Sequence, residues 1–143
     1  MAETTQALAI TSVDQIMSAN LGSAFCTLDT ENADRKTKAQ IANALNNPDH
    51  TVKSMVNKTI KVKNFLIEVA ELLNDDTGEI DRVPRIILFD EKNETYLAHS
   101  VGMFNAIRSA CRTFGNAPWD DPLNFEICEK PTKNGFMLTA KIS

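Results

Sequence analysis

Chemically reactive residues are scarce in this chain. Only three of its 143 residues are cysteine (Cys26, Cys111 and Cys128), odd in number, widely spaced and without a Cys-x-x-Cys pair. That leaves neither a disulfide framework nor a zinc-ligand pattern, and predicts buried thiols acting as small hydrophobes. The two histidines are no better placed for catalysis, since His50 follows Pro48-Asp49 in a loop and His99 ends a strand. A Cys111–His99 couple would need an orienting acid and an oxyanion hole, and no motif supplies either. The glycines form no phosphate-binding loop of a standard type. No apolar run approaches the roughly 20 residues that cross a bilayer. The opening Met1-Ala2-Glu3-Thr4-Thr5-Gln6 carries an acid and no basic region, unlike a secretory signal. These absences predict a cytoplasmic protein that is not an enzyme and uses no metal or cofactor.

An excess of positive charge is missing as well. The net charge is −4 and the isoelectric point about 5.1, which argues against a uniformly basic nucleic-acid-binding surface. The basic residues nevertheless gather locally, as Arg35, Lys36 and Lys38 and again as Lys53, Lys58, Lys61 and Lys63. The acids crowd elsewhere, in Asp75, Asp76, Glu79 and Asp81, in Asp90, Glu91 and Glu94, and in Asp120 and Asp121. Net charge governs steering at a distance, whereas phosphate contact depends on the local group. The Asp75–Glu79 cluster lacks the spacing of a calcium loop and reads as a plain turn.

What is present is an ordinary soluble composition, 43% hydrophobic and 24% charged, enough for one domain with a buried core. Residues 1–11 read as a loose tail. Ser12 and Gln15 form a capping box for a short helix that Gly22 ends. Ala24 to Leu28 reads as a short strand. Asp34 caps a second helix that presents Ile41, Ala42 and Leu45 and stops before Pro48. From Ile60 the rhythm changes. A long run to Leu73, then Val83 to Asp90, then Glu94 to His99 read as strands, the first two separated by Asn74-Asp75-Asp76-Thr77-Gly78. Ser100 caps a helix with Val101, Phe104, Ile107, Cys111 and Phe114 on one face and Gly115 as its stop. Arg108 and Arg112 lie on one side of it, and Trp119 reads as a loop pin into the core. Two alternating strands close the chain, with Leu123, Phe125 and Ile127 on the core face of one and Phe136, Leu138, Ala140 and Ile142 on that of the other.

The expected fold is therefore mainly β with helices. Its five-stranded barrel runs β-β-β-α-β-β over residues 59–143, the order of an OB-fold, and an N-terminal α/β extension, residues 1–58, packs on it. The second barrel strand breaks the pattern of a strand with one watered face. Ile86 and Leu88 make one side apolar, while Val83, Ile87 and Phe89 make the other apolar too, with Arg85 in line. Leu97 follows the core side of the next strand and Tyr96 the outer side, so one outer surface would carry Arg85, Phe89 and Tyr96. Such a surface is either a platform on which bases stack or a face buried by the extension. Pro84 sets the start of this strand near an edge.

These residues carry a resemblance. Thr77-Gly78-Glu79-Ile80, Val83-Pro84-Arg85-Ile86-Ile87-Leu88, Phe89-Asp90-Glu91-Lys92-Asn93-Glu94-Thr95-Tyr96, Ser100-Val101-Gly102-Met103-Phe104-Asn105-Ala106, Phe114-Gly115, Pro118-Trp119 and Phe136-Met137-Leu138-Thr139-Ala140-Lys141-Ile142 resemble the single-stranded DNA-binding proteins of tailed bacteriophages. The resemblance runs from about Ala24 to the end and implies an OB-fold core, DNA as ligand, no cofactor and a role on replicating phage DNA in the host cytoplasm. The sequence ends Ala140-Lys141-Ile142-Ser143, so recruitment of partners through a flexible acidic tail is not expected. The residue reading assigns backbone contacts to Lys61, Lys63 and Arg85, base stacking to Phe89 and Tyr96, and further contacts to Arg35, Lys36 and Lys38. Self-association and contact with phage replication proteins are further expectations. The alternative is a phage protein-interaction module that uses the same barrel face for a protein partner.

Overall fold

The computed structural model describes residues 24–28, 32–73, 75–133 and 135–143, and the expected tail and first helix lie outside them. In chain order the elements are β1 (Ala24–Cys26), α1 (Arg35–Asn46), β2 (His50–Thr51), a 3₁₀ turn (Val52–Met55), β3 (Thr59–Leu73), β4 (Ile80–Asp90), β5 (Thr95–Ala98), α2 (Val101–Phe114), β6 (Leu123–Thr132) and β7 (Gly135–Ile142). The protein is mainly β: a mixed sheet, in the order β2-β5-β4-β3-β6-β7, curls into a half-barrel, with the two helices packed against it. β2, which the sequence did not reveal, joins β5 in parallel through the register His50–Tyr96.

β3 organises the sheet because its 15 residues outrun any one neighbour. β4 pairs along it from Val62 to Leu73, while its other edge is taken first by β6, over Thr59–Val62, and then by β1, over Leu66–Glu68. Between Val62 and Asn64 the ladder slips by one residue. Such a bulge bends the strand and changes which alternate residues face inward. Ile60 and Val62 are buried before it, and Phe65, Ile67 and Val69 after it, all in the core of the half-barrel. Asn64, 4% exposed at the slip, is satisfied from β1's side: Thr27 Oγ1 donates to its Oδ1 at 2.9 Å and accepts from the Phe65 N–H at 3.0 Å. Pro84 sits opposite Val69 and beyond the reach of β5, which covers only Ile86–Phe89, so its missing N–H takes nothing from that ladder.

α1 forms where expected. Asp34 accepts from the Thr37 N–H at 2.8 Å, which holds its carboxyl below the usual carboxylate range, and Asn47 closes the helix before Pro48. The face it buries is Ile41, Ala44 and Leu45; Ala42 points to solvent. α2 keeps its expected Ser100 cap and Gly115 stop. Its buried face is Met103, Phe104, Ala106, Ile107, Ala110 and Cys111, and the expected members Val101 and Phe114 are exposed. The helix approaches β7 closely at Gly102, where a Cβ would stand 2.3 Å from the Leu138 carbonyl oxygen. Trp119 is pinned into the core between Phe65 and Phe125, and its Nε1 donates to the Gly115 carbonyl at 2.9 Å.

Candidate nucleic-acid interface

The two apolar faces of β4 have separate occupants. Ile86 and Leu88 face the half-barrel core. Ile87 and Phe89 face outward and are covered by α1, in a second cluster with Ala44 and Leu66 against which Ile41, Leu45 and Leu97 pack. Phe89, expected to stack bases, is 1% exposed beneath this helix and out of reach of a nucleobase. The sequence left open whether this strand served stacking or burial; for Phe89 the answer is burial.

Tyr96 and Leu97 exchange the sides expected of them. Tyr96 pairs with Leu88 and faces the core, while Leu97 pairs with Ile87 and faces α1. The Tyr96 hydroxyl donates to Asp90 Oδ2 at 3.0 Å, and its ring stacks against His50 with centroids 4.9 Å apart. Burial, then the hydrogen bond to Asp90, pushes its pKa up to about 12. Asp90 is the anchor of this corner, since it also accepts from the backbone of Lys92 and Glu94. The His50 ring approaches Glu94 Oε1 at 2.9 Å. Tyr96 is therefore a core ring with a polar handle.

Arg85 stands on the outer face opposite Glu68. Nη1 donates to Glu68 Oε1 at 3.2 Å, and Nη2 donates to the carbonyl of Leu45 in the last turn of α1. A cation at a helix C-terminus is favoured by the carbonyl dipoles there. The half-buried guanidinium thus clamps α1 to the sheet, with an internal carboxylate, Glu68, as its ion-pair partner. Burial of His99 itself, and after it the charge of Arg85, depresses the basicity of that imidazole.

The lysines fare differently. Before the bulge the odd residues of β3 face outward, so Lys61 is exposed on that side, while Lys63 stands at the slip itself and is half-buried. Lys61 lies opposite Asn124 of β6, on a face continued by Glu126 and by Lys141 of β7. No helix covers this polar strip among the described residues. Toward the β4–β5 turn Lys61 borders a shallow groove of about 230 Å³ shared with Asp90, Glu91 and Glu94, so its surroundings there are acidic. Arg35, Lys36 and Lys38 are exposed on α1, away from its buried face. Arg108 lies 5.7 Å over the Phe104 ring on its own helix.

Sequence reasoning passed over the β6–β7 hairpin. Inward packing ends at Ile127 and Leu138; from Glu129 to Thr132 and at Gly135 and Phe136 every residue is exposed. Phe136 was expected on the core face and is instead 71% exposed, opposite Pro131 and next to the turn that carries Lys133. Its alternation with Leu138 and Ala140 was read correctly, but the strand outruns the core it serves. The short basic turn Lys130-Pro131-Thr132-Lys133 was the available signal.

The profile of a family described as phage single-stranded DNA-binding protein matches residues 18–143, most of the chain. The chain belongs to that family, whose ligand is single-stranded DNA. No curated protein and no solved structure matches it.

Proposed function

We propose that this protein coats single-stranded DNA with little sequence preference during phage replication or recombination, in the host cytoplasm and without catalysis. The observation that carries the reading is the family match across residues 18–143. β3 to β7, with α2 between β5 and β6, keep the order of an OB-fold, and we read residues 59–143 as that barrel and residues 1–58 as an extension laid upon it. In the usual OB-fold the second and third strands receive the ligand. Here α1 lies over the outer side of those strands, so the DNA path is displaced to the surface it leaves open. Lys61 on the polar strip, Lys63 at the slip beside it, and Arg35, Lys36 and Lys38 on the outer side of α1 contact phosphates on that path. The rival reading, a barrel face reserved for a protein partner, loses its main support, because the chain's own helix already fills the apolar face of β4.

The test is a fluorescence-anisotropy titration of labelled poly-dT against duplex of equal length. Binding to the single strand that weakens with added salt is expected, because neutralising phosphates releases counterions. Lys61→Ala should lower the slope of log K against log salt by about 0.7, one single-strand phosphate contact, for any base sequence. Absence of binding to poly-dT at low salt refutes the reading.

A further inference from the structure

We infer that bases stack on Phe136, at the tip of the β6–β7 hairpin, with Lys133 of the turn holding an adjoining phosphate. The inference rests on the reading of the chain as a single-stranded DNA binder and says where on it the bases go. Sequence-tolerant binding of single strands needs exposed rings, because every base has a face that can stack. The chain has seven Phe, one Tyr and one Trp. Phe65, Phe89, Phe104, Phe125, Tyr96 and Trp119 are buried, and Phe25 packs half-buried against the core. That leaves Phe114, 52% exposed, and Phe136, 71% exposed.

Charge separates the two. Phe114 borders a groove of about 510 Å³ that also holds Asp120 and Asp121, whose carboxylates repel phosphate. Phe136 pairs with Pro131 beside the turn, where Lys133 is exposed, and the acid on its face of the arm is the single Glu129, opposite Leu138. A single exposed apolar side chain is unremarkable by itself. This one adjoins the hairpin turn that carries the exposed Lys133, and it stands on a two-stranded arm beyond the last core residues of its face. Four steps of strand, from Cys128 to Thr132, carry the arm about 13 Å past the last buried residues of β6. The 71% exposure of Phe136 leaves most of its ring open to a base. Antiparallel pairing as far as Thr132–Gly135 keeps the arm ordered, so little conformational freedom is lost when the ring is engaged.

The experiment compares the full chain with its Phe136→Ala, Phe136→Tyr and Phe114→Ala variants in anisotropy titrations against labelled dT oligomers. Phe136→Ala should weaken binding about 5- to 150-fold, the range for loss of one stacking ring. Phe136→Tyr, which keeps the ring, and Phe114→Ala should bind as the parent does. Phe136→Trp provides an independent readout: it adds an exposed indole to the buried Trp119, and its emission should be quenched on adding dT oligomer. If the parent binds and Phe136→Ala binds within twofold of it, the stacking site lies elsewhere and only this inference falls. If the parent itself does not bind, the functional reading falls with it. Because Phe136 touches no core residue past Leu138, its thermal unfolding midpoint should match the parent's, which separates lost contact from lost folding.

Discussion

Phe89 gives the sharpest test of the architecture, because two roles for it predict opposite phenotypes. The ring is 1% exposed and enclosed by Ala44, Leu66 and Ile87, with Ile41, Leu45 and Leu97 around them. Truncating a buried Phe to Ala removes its transfer free energy and leaves a cavity, together about 3–5 kcal/mol. The site spans a helix and a sheet, so α1 can partly settle into the void, which favours the lower end of that range. Against a total stability of about 5–15 kcal/mol for an ordinary domain, that is a large fraction. In urea, with a slope near 2 kcal/mol per molar, a loss of about 4 kcal/mol moves the midpoint down by roughly 2 M. The assay is denaturation followed by circular dichroism, paired with poly-dT titration at a temperature where the variant is still folded. Phe89→Ala should be much less stable and should bind DNA as the parent does once folded. A variant of parental stability that had lost tenfold or more in DNA affinity would refute the reasoning, because the ring would then be meeting bases rather than α1.

Two further outcomes follow from the packing and the titrations. Gly102→Ala places a methyl 2.3 Å from the Leu138 carbonyl oxygen, a backbone atom that cannot swing away; α2 must lift from β7, and a destabilisation of about 1–3 kcal/mol or more should appear as a lower thermal midpoint. Tyr96 has a folded pKa raised to about 12 from 10.0, so its neutral form is stabilised by folding. That contribution is complete below pH 10 and is lost as the pH climbs from there toward 12, and Tyr96→Phe should flatten this part of the stability curve in alkaline urea titrations.

Much of the fold could be read from local chemistry. Asp34 and Ser100 announced their helices because a cap is a contact made within one turn. Alternation gave the inner faces of β6 and β7. What local pattern could not supply was the bulge at Val62–Asn64, since nothing in Lys61-Val62-Lys63-Asn64 marks a slipped register, and the slip decides which residues of β3 face inward. Nor could it assign the sides of β5: a four-residue strand with Tyr96 and Leu97 adjacent alternates equally well either way, and the hydroxyl's partner, Asp90, is set by the turn between β4 and β5. At the candidate site, apolar residues on two faces of β4 fitted a stacking platform and burial by the extension equally well, and local pattern could not choose between them. Phe89 and Arg85 belong together, as expected, but what they hold is α1. Conversely Phe136 looked like core because alternation says which side a residue faces and not whether the core extends that far.

The net excess of acid, which weighed against a DNA ligand, is matched by one stretch of the chain. The distal part of the β3–β4 hairpin, Ala70–Val83, holds Glu71, Asp75, Asp76, Glu79 and Asp81 against Arg82 alone, which equals the whole net charge of −4 and leaves the remainder balanced. At its tip Leu73 and Ile80, partners across the ladder, are each 63% exposed. A DNA strand on the β6–β7 arm and the polar strip of β3 lies toward the opposite end of β3 from this tip, so the repulsion reaches it only where screening is weak, since it decays over about 10 Å at 0.1 M salt. Asp75→Asn combined with Glu79→Gln should therefore tighten binding to poly-dT at low ionic strength, with the gain shrinking as salt is raised, and should tighten duplex binding by a similar factor. The comparison discriminates because such repulsion acts on any phosphate chain, whereas a contact acts on one. If the double variant instead binds poly-dT more weakly, the acidic hairpin touches the bound strand through the very side chains removed, and the path proposed along β3 and the β6–β7 arm must be redrawn to include it.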